Sequence, residues 1–293
     1  MKKNTERNLK VGKIKTMRIQ YASDLHLEFG MNSRYMQVYG LEPKGDILLL
    51  AGDVSYLENR RLEKNPFFDW CSRHYKETII VPGNHEYYKD PIAREGHQNG
   101  IPLDKTLVDY EHKVRDNVRY LNNRSMVFGN IEVFATTLWT ITDPTNYVGI
   151  QTGMNDCYQI IYGNHRLWAD DYAEVHGICR NWLDGALKAS KAKHKIVLTH
   201  HCPTMRGEFD THQVGSGLYS AFHVDMEKFI EQHDIEYWIY GHTHTQDGSG
   251  TVFPSKGNGT TLLCNQIGYV EHNEDMNGFR SDIIILVEND LKK

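Results

Sequence analysis

The chain alternates short apolar runs of strand length with segments of helical periodicity, and this alternation limits its fold more than any other feature. One run, residues 46–51, holds consecutive aliphatic side chains and is typical of a strand covered on both faces. Similar runs predict strands at 17–23, 78–81, 195–199, 237–240, 261–264 and 283–287. Helices are predicted around 67–75 and, from an apolar stripe of 3.6-residue spacing, at 175–186. The pattern indicates an α/β protein with buried sheets.

Three other segments give weaker predictions. Leu103, Leu107, Tyr110 and Val114 recur at helical spacing, which predicts a helix over 104–116. Residues 125–128 and 131–138 predict a hairpin across Gly129-Asn130. The apolar positions at 222, 226, 229 and 230 predict one amphipathic helix. Residues 140–165 have turn residues and little periodicity, so we expect an irregular insertion that borders a pocket.

Composition limits the class of protein and its partners. The chain has 293 residues, 40% hydrophobic and 24% charged, with a net charge of −5, so we expect no affinity for extended nucleic acid. No apolar run approaches the roughly 18–20 residues that span a bilayer, so no membrane partner is expected. The five cysteines lack CxxC spacing, which argues against disulfides and thiolate zinc sites and fits the cytoplasm. We expect a disordered basic tail at 1–16 and a single domain at 17–293.

Polar side chains follow five of the predicted strands, at the point where each strand ends. In α/β sheets, ligands bind at the carboxyl ends of strands. Residues two apart in an extended chain point to one side, so Asp24 and His26 can converge. Glu86, next to one of these sets, can orient its neighbours. The five sets are Asp24/His26, Asp53, Asn84/His85, His200/His201 and His242/His244.

The residue types in these sets indicate a class of metal. Carboxylate, imidazole and amide ligands without thiolate suit manganese, iron, zinc, cobalt or nickel, whereas calcium and magnesium need more oxygen ligands. The ligands outnumber those of one tetrahedral zinc, so we expect two divalent ions. Two ions about 3.5–4 Å apart can share a bridging carboxylate and a hydroxide during phosphoester hydrolysis.

The ordered motifs Asp-x-His, Gly-Asp, Gly-Asn-His-Glu, His-His-x-Pro and Gly-His-Thr-His resemble the calcineurin-like metallophosphoesterase superfamily from Met17 onward. The resemblance implies a four-layer α-β-β-α sandwich with two mixed β-sheets. It implies two metal sites bridged by Asp53, and direct attack by metal-bound hydroxide. His85 would bind no metal but would lie beside the substrate phosphate and assist the leaving oxygen. The implied ligands are Asp24, His26 and His244 for the first ion, and Asn84, His200 and His242 for the second.

Some positions and the substrate stay open. In the His-His-x-Pro motif, either His200 or His201 could be the metal ligand. We choose His200, which leaves His201 as a substrate contact. Gly52-Asp53 is not followed by the Asp-Arg-Gly sequence of the protein Ser/Thr phosphatases. The stretches 136–140 and 154–156 resemble small bacterial and phage members, which makes Asn155 a second substrate contact. The oligomeric state is left open.

The leading hypothesis is a metal-dependent phosphoesterase for a small phosphomonoester or phosphodiester, such as a nucleotide. The alternatives are a catalytically weak binding module on the same fold and a nuclease acting on short nucleic-acid ends. The presence of His85 together with every expected ligand argues against the binding module.

Overall fold

The computed structural model describes residues 16–57, 62–89 and 100–289. Within them the strands form two six-stranded sheets and one two-stranded ribbon. The strands are β1 (Thr16–Ala22), β2 (Ile47–Leu50), β3 (Glu77–Ile80), β4 (Tyr110–Arg115), β5 (Val118–Asn122), β6 (Arg124–Phe128), β7 (Ile131–Ala135), β8 (Ile161–Tyr162), β9 (His165–Arg166), β10 (His194–Leu198), β11 (Tyr237–Tyr240), β12 (Val252–Phe253), β13 (Thr260–Cys264) and β14 (Ile284–Glu288). The α-helices are α1 (Gly30–Val38), α2 (Pro66–His74), α3 (Tyr147–Gly153), α4 (Asp156–Gln159), α5 (Asp171–Ala189), α6 (Tyr219–Phe222) and α7 (Glu227–Glu231).

Both large sheets are mixed, with four parallel strands in the middle and an antiparallel strand at each edge. The first has the order β14-β1-β2-β3-β5-β4, in which β14 and β4 are antiparallel to their neighbours. The second has the order β12-β13-β11-β10-β7-β6, in which β12 and β6 are antiparallel. The parallel strands of each sheet therefore end at one common edge.

The two sheets pack face to face and helices cover their outer faces. A buried apolar cluster between the sheets joins Ile19, Leu49 and Ile79 of the first to Val133 and Ile196 of the second. Helices α1 and α2 lie on the outer face of the first sheet, and α5 and α7 lie on that of the second. Each pair of helices packs on its sheet through an apolar cluster. The helical residues of these two clusters include Met36, Phe68, Cys71, Leu183, Leu187, Phe229 and Ile230. The expected four-layer α-β-β-α sandwich with two mixed sheets is confirmed.

Most elements predicted from apolar runs are present. The run at 46–51 contains β2, which is fully buried, and the hairpin across Gly129-Asn130 is formed by β6 and β7. The stripe at 175–186 lies within α5, where Val175, Cys179 and Leu183 are buried. The predicted tail, residues 1–16, lies outside the described residues except for Thr16, with which β1 begins.

The predicted helix over 104–116 is wrong. Leu103–Thr106 is a 3₁₀ turn, and the chain then reverses at Asp109, whose φ is 45°. A left-handed residue ends a right-handed helix. β4 follows and pairs antiparallel with β5. The four-residue spacing arises because Leu103 and Leu107 are buried by the turn, whereas Val114 is buried by the sheet.

The single amphipathic helix predicted around 222–230 is also wrong. α6 and α7 are separated by an extended segment that begins at His223, with φ −126° and ψ 145°. His223 forms a β-bridge with Cys202, and the Val224 N–H donates to the Cys202 carbonyl at 3.0 Å. This pairing with the segment after β10 therefore interrupts the predicted helix, and α6 and α7 each keep buried residues.

The segment 140–165 is more regular than expected, since it contains α3, α4 and β8. A fourth apolar cluster attaches it to the body of the protein through Trp139, Ile150, Cys157 and Tyr172, all buried. No helix in the described part of the chain combines the length and apolar character that crossing a bilayer requires.

Candidate metal centre

The residues that follow β1, β2, β3, β10 and β11 converge where the parallel strands of the two sheets end. Main-chain hydrogen bonds link these strand ends. The Asp24 N–H donates to the Gly52 carbonyl at 3.0 Å, and the His26 N–H donates to the Asp53 carbonyl at 2.9 Å. The His242 N–H donates to Asp24 Oδ1 at 3.1 Å, which ties the second sheet to the first.

One group of potential ligand atoms comes from Asp24, His26, Asp53 and His244, whose atoms all lie within 4.8 Å of one another. His26 Nε2 is 3.1 Å from His244 Nε2 and 3.8 Å from Asp53 Oδ2. His244 Nε2 is 3.4 Å from Asp24 Oδ1. Two imidazole nitrogens and two carboxylates thus face one point.

A second group lies around His200. Its Nε2 atom is 3.0 Å from Asn84 Oδ1 and 3.1 Å from His242 Nδ1. The same nitrogen is 3.5 Å from Asp53 Oδ1. Asp53 therefore directs Oδ2 to the first group and Oδ1 to the second, which is the arrangement of a bridging carboxylate.

The ligating faces of the imidazoles are fixed by acceptors on their other nitrogens. His26 Nδ1 is 3.1 Å from Glu28 Oε1, and His244 Nδ1 is 2.6 Å from Glu274 Oε2. His200 Nδ1 is 2.8 Å from the Ala51 carbonyl oxygen. Such acceptors set the tautomer and orient the remaining nitrogen toward a metal. The Nε2 atoms of these imidazoles therefore point into the two groups.

The electrostatics of the site fit divalent cations. Burial, together with the charges of Glu86 and Asp24, raises the pKa of Asp53 well above its ordinary value. Burial also lowers the pKa of His200 to about 3 and that of His26 to about 4, with the nearby His85 adding to the effect on His26. Neutral imidazoles such as those of His26 and His200 are the form that metals bind. Burial also lowers the pKa of His244, but its hydrogen bonds to Asp24 and Glu274 outweigh this and raise that pKa to about 9. The residues present thus fit a metal centre with imidazole, carboxylate and amide ligands.

Glycines and Glu86 allow the two Asp53 oxygens to face both groups. Glu86 accepts hydrogen bonds from the N–H groups of Gly83, Asp53 and Val54 at 2.7, 2.9 and 2.8 Å. A Cβ atom on Gly83 would lie 2.1 Å from Asp53 Oδ1, and one on Gly52 would lie 2.4 Å from His200 Nδ1. The carboxylate of Glu86 orients its neighbours, as the sequence indicates.

His85 lies beside the ligands and is held by a carboxylate. Its Nδ1 atom is 2.9 Å from Glu28 Oε1, the oxygen that also holds His26, and its Nε2 atom is 3.1 Å from the Tyr269 hydroxyl. Its ring stacks on Tyr88 at 4.3 Å between centroids. Burial raises the pKa of Glu28, but the hydrogen bonds from His26 and His85 outweigh it and bring that pKa to about 2.

Asn84 is oriented by a buried carboxylate from the 140–165 segment. Its side-chain Nδ2 donates to Asp156 Oδ1 at 2.8 Å and to the Tyr88 hydroxyl at 3.0 Å, so its Oδ1 faces His200. Asp156 also accepts from Tyr88 and, at 2.6 Å, from the Tyr172 hydroxyl. Burial raises the pKa values of both tyrosines well above the ordinary value, so both remain donors.

A cavity of about 420 Å³ opens onto this centre. Asn155 lines it beside Met154, together with His85 and Tyr269. His201 is fully buried and is not among the lining residues. Its ring packs on Trp139 at 5.0 Å and on His242 at 4.5 Å, so it lies behind His242 and does not reach the cavity, contrary to the substrate contact expected from the sequence. His200 is the member of the pair that faces the other ligands.

Sequence reasoning missed the residues that support the ligands. Glu28, Asp156 and Glu274 each hold a ligand side chain, and Tyr269 bonds to His85. Glu28 follows His26 by two residues on the same strand exit, a spacing that could have identified it. Asp156, the first residue of α4, and Glu274, in a 3₁₀ turn after β13, lie far along the chain and carry no local signal.

The family model for the calcineurin-like phosphoesterases matches residues 17–246, which include all seven predicted ligands. The chain belongs to this family. This membership makes the protein a metal-dependent hydrolase of phosphoric esters.

Two proteins are similar to this chain. The phosphoesterase is 29% identical over 287 residues to the uncharacterised protein L509 of Acanthamoeba polyphaga mimivirus, with 89% of this chain and 94% of the relative covered. Its fold is similar to that of the phosphopantetheinyl hydrolase PptH from Mycobacterium tuberculosis, with a TM-score of 0.60 and 14% identity over 93% of this chain and 96% of that one. The second likeness concerns the fold alone.

Proposed function

We propose that this phosphoesterase hydrolyses a small phosphomonoester or phosphodiester at a dinuclear centre of divalent transition-metal ions. The observation that carries the proposal is Asp53, whose two carboxylate oxygens face two separate groups of potential ligand atoms. Asp24, His26 and His244 would hold the first ion, and Asn84, His200 and His242 the second. The ions would be manganese, iron, zinc, cobalt or nickel, because no thiolate and few oxygens are present.

The chemistry that such ions supply is a water acidic enough to be hydroxide near neutral pH, and positive charge beside the phosphate oxygens. The protein's own residues do the rest. Asp53 and Asp24 hold negative charge in a buried site, and Glu28 fixes Nδ1 of His85 so that Nε2 faces the cavity. Nε2 of His85 would then stabilise or protonate the leaving-group oxygen, a contribution of about 10²–10⁴-fold in rate.

Substrate size and surroundings follow from the cavity. About 420 Å³ is at the lower end of the range of small-molecule sites, which supports a small ester. Asn155 would contact that ester. Asp210 and Glu274 line the same cavity and no Lys or Arg does among the described residues, which supports the absence of extended nucleic acid as a partner.

Two wider proposals accompany the activity. Residues 17–293 would form one domain with 140–165 bordering the pocket, supported by Met154 and Asn155 in the cavity wall. The cytoplasm would be the compartment, since all five cysteines are free and buried, as in reducing surroundings.

The test combines metal analysis with an activity panel. The manganese-loaded wild type should contain about two equivalents of metal, and Asp53→Asn should contain fewer. Asp116→Asn, in the exposed turn between β4 and β5, is the matched control and should retain both. Phosphomonoesters and phosphodiesters are then assayed with each divalent metal. One equivalent in the wild type, unchanged in Asp53→Asn, would refute the bridging role, and no hydrolysis with any metal would refute the activity.

A further inference from the structure

A second cavity, of about 930 Å³, adjoins the one at the metal centre. The two share four side chains, those of His85, Tyr88, Asn155 and Tyr269. None of the seven proposed metal ligands lines the second cavity. The four shared side chains therefore form the boundary between the metal centre and a second space, which we name the leaving-group arm.

The position of His85 on this boundary gives the arm its role. In a phosphoryl transfer the attacking and leaving oxygens lie roughly in line, on opposite sides of the phosphorus. If His85 assists the leaving oxygen, as the proposed function holds, the alcohol portion of the ester departs on the His85 side. That side opens into the arm. Phe222, which lines the metal cavity but not the arm, stacks on the proposed ligand His242 at 4.6 Å.

The described walls of the arm combine polar side chains with aromatic and apolar ones, and aromatic rings lie next to His85. Phe29 is 39% exposed, and its ring centroid lies 5.6 Å from that of Tyr269 and 6.1 Å from that of His85. Met31, on the first turn of α1, is 53% exposed beside it. Aromatic rings and methionine sulfur both favour contact with a further aromatic ring. An exposed aromatic side chain at the mouth of a metal site is thus available to the substrate.

Among the described residues, the charged side chains that line the arm are opposite in sign. Arg34 and Glu271 both line it, so the Lys, Arg, Asp and Glu residues that the structure describes there contribute no net charge. A further anionic group on the leaving alcohol would therefore gain no net attraction, whereas an uncharged group needs none.

We propose that the leaving-group arm binds an uncharged planar aromatic ring on the alcohol portion of the substrate. The preferred substrates are then phosphate esters of alcohols that carry such a ring, with a nucleobase as one example. Phe29 provides the stacking surface and Met31 covers its edge. The inference rests on the proposed phosphoesterase activity and adds its substrate class.

The test compares three esters that differ only in the alcohol. Benzyl and cyclohexylmethyl phosphate are both esters of primary alcohols and differ in the planarity of the ring, whereas methyl phosphate cannot reach the arm. In the wild type, kcat/KM should be about threefold to tenfold higher for benzyl than for cyclohexylmethyl phosphate, the range expected for one aromatic pair. Phe29→Ala and Phe29→Leu should abolish that preference and leave methyl phosphate unchanged.

Two further variants keep the test decisive. Tyr39→Ala removes an aromatic side chain that is 72% exposed at the far end of α1 and lines neither cavity, so it should retain the preference. If Phe29→Ala also lowers turnover of methyl phosphate, Met31→Ala is tested in place of Phe29→Ala. The Met31→Ala variant should lower turnover of benzyl phosphate and leave that of methyl phosphate unchanged. Equal kcat/KM for all three esters in the wild type would refute the arm and leave the phosphoesterase intact. Failure to hydrolyse any ester with any metal would refute the proposed function itself.

Discussion

Replacing Asp156 by asparagine should weaken the binding of one metal ion and leave the other unaffected. Asp156 Oδ1 accepts from Asn84 at 2.8 Å and also from Tyr88, while Oδ2 accepts from Tyr172 at 2.6 Å. The amide that replaces the carboxylate has one oxygen for these three donors. Its NH2 group donates where the second carboxylate oxygen accepted, and its remaining oxygen carries no charge, so the hydrogen bond that directs Asn84 Oδ1 toward His200 is weakened.

The expected size follows from the class of interaction. Removing a hydrogen-bond partner of a metal ligand typically costs 10- to 100-fold in metal affinity. This corresponds to about 1.4–2.8 kcal/mol. Asn84 keeps its 3.0 Å hydrogen bond to the Tyr88 hydroxyl, so the lower part of the range is expected. The proposed ligands of the first ion, Asp24, His26 and His244, are not among the hydrogen-bond partners of Asp156 in the described part of the chain, so that ion should be retained.

The assay is equilibrium dialysis against manganese with metal analysis, which gives the number and affinity of bound ions independently of activity. Tyr172→Phe is the matched control, because it removes one donor to Asp156 without touching Asn84, and both ions should stay bound. The activity of Asp156→Asn should recover in part with excess manganese. A variant that binds two ions with wild-type affinity and only unfolds at a lower temperature would show that Asp156 has a purely structural role.

Two further results are expected. His85→Ala should keep both ions but lose about 10²–10⁴-fold in turnover, whereas Asn84→Ala should lose one ion and regain activity with excess metal; metal loss in His85→Ala that added metal rescues would make His85 a ligand. Gly83→Ala should lower metal stoichiometry, because the new Cβ would lie 2.1 Å from Asp53 Oδ1, and an unchanged metal content would contradict this reasoning.

The fold could be predicted to a large extent because its buried parallel strands are marked by continuous apolar runs. The failures occur where two structures bury the same residues. Leu103, Leu107 and Val114 are all buried, as a helix requires, but a 3₁₀ turn and an edge strand bury them instead. Apolar spacing reports burial, and over short segments it does not distinguish which element produces it. The left-handed Asp109 that separates the two elements has no sequence signal of comparable strength.

The proposed ligands of the metal centre could be identified from the sequence, whereas the residues that hold those ligands in place could not. Each proposed ligand lies within four residues of the end of a strand, so its approximate position depends on one local element. Asp156 and Glu274 reach their partners only through tertiary packing, over 72 residues to Asn84 and 30 residues to His244. Their positions depend on how the 140–165 segment and the loop after β13 pack on the sheets, which periodicity does not give.

The backbone at the ligands explains why local motifs alone cannot give the geometry of the site. Asp24, His26, Asp53, His242 and His244 all have left-handed φ values, between 47° and 75°. Such conformations cost about 1–3 kcal/mol each and persist only where the surroundings enforce them. Here the enforcing contacts are hydrogen bonds from one strand end to the next, including the bond from the N–H of His242 to Asp24, which joins the two sheets. The ligands therefore reach their positions only once both sheets have packed, and the centre is a product of the whole sandwich.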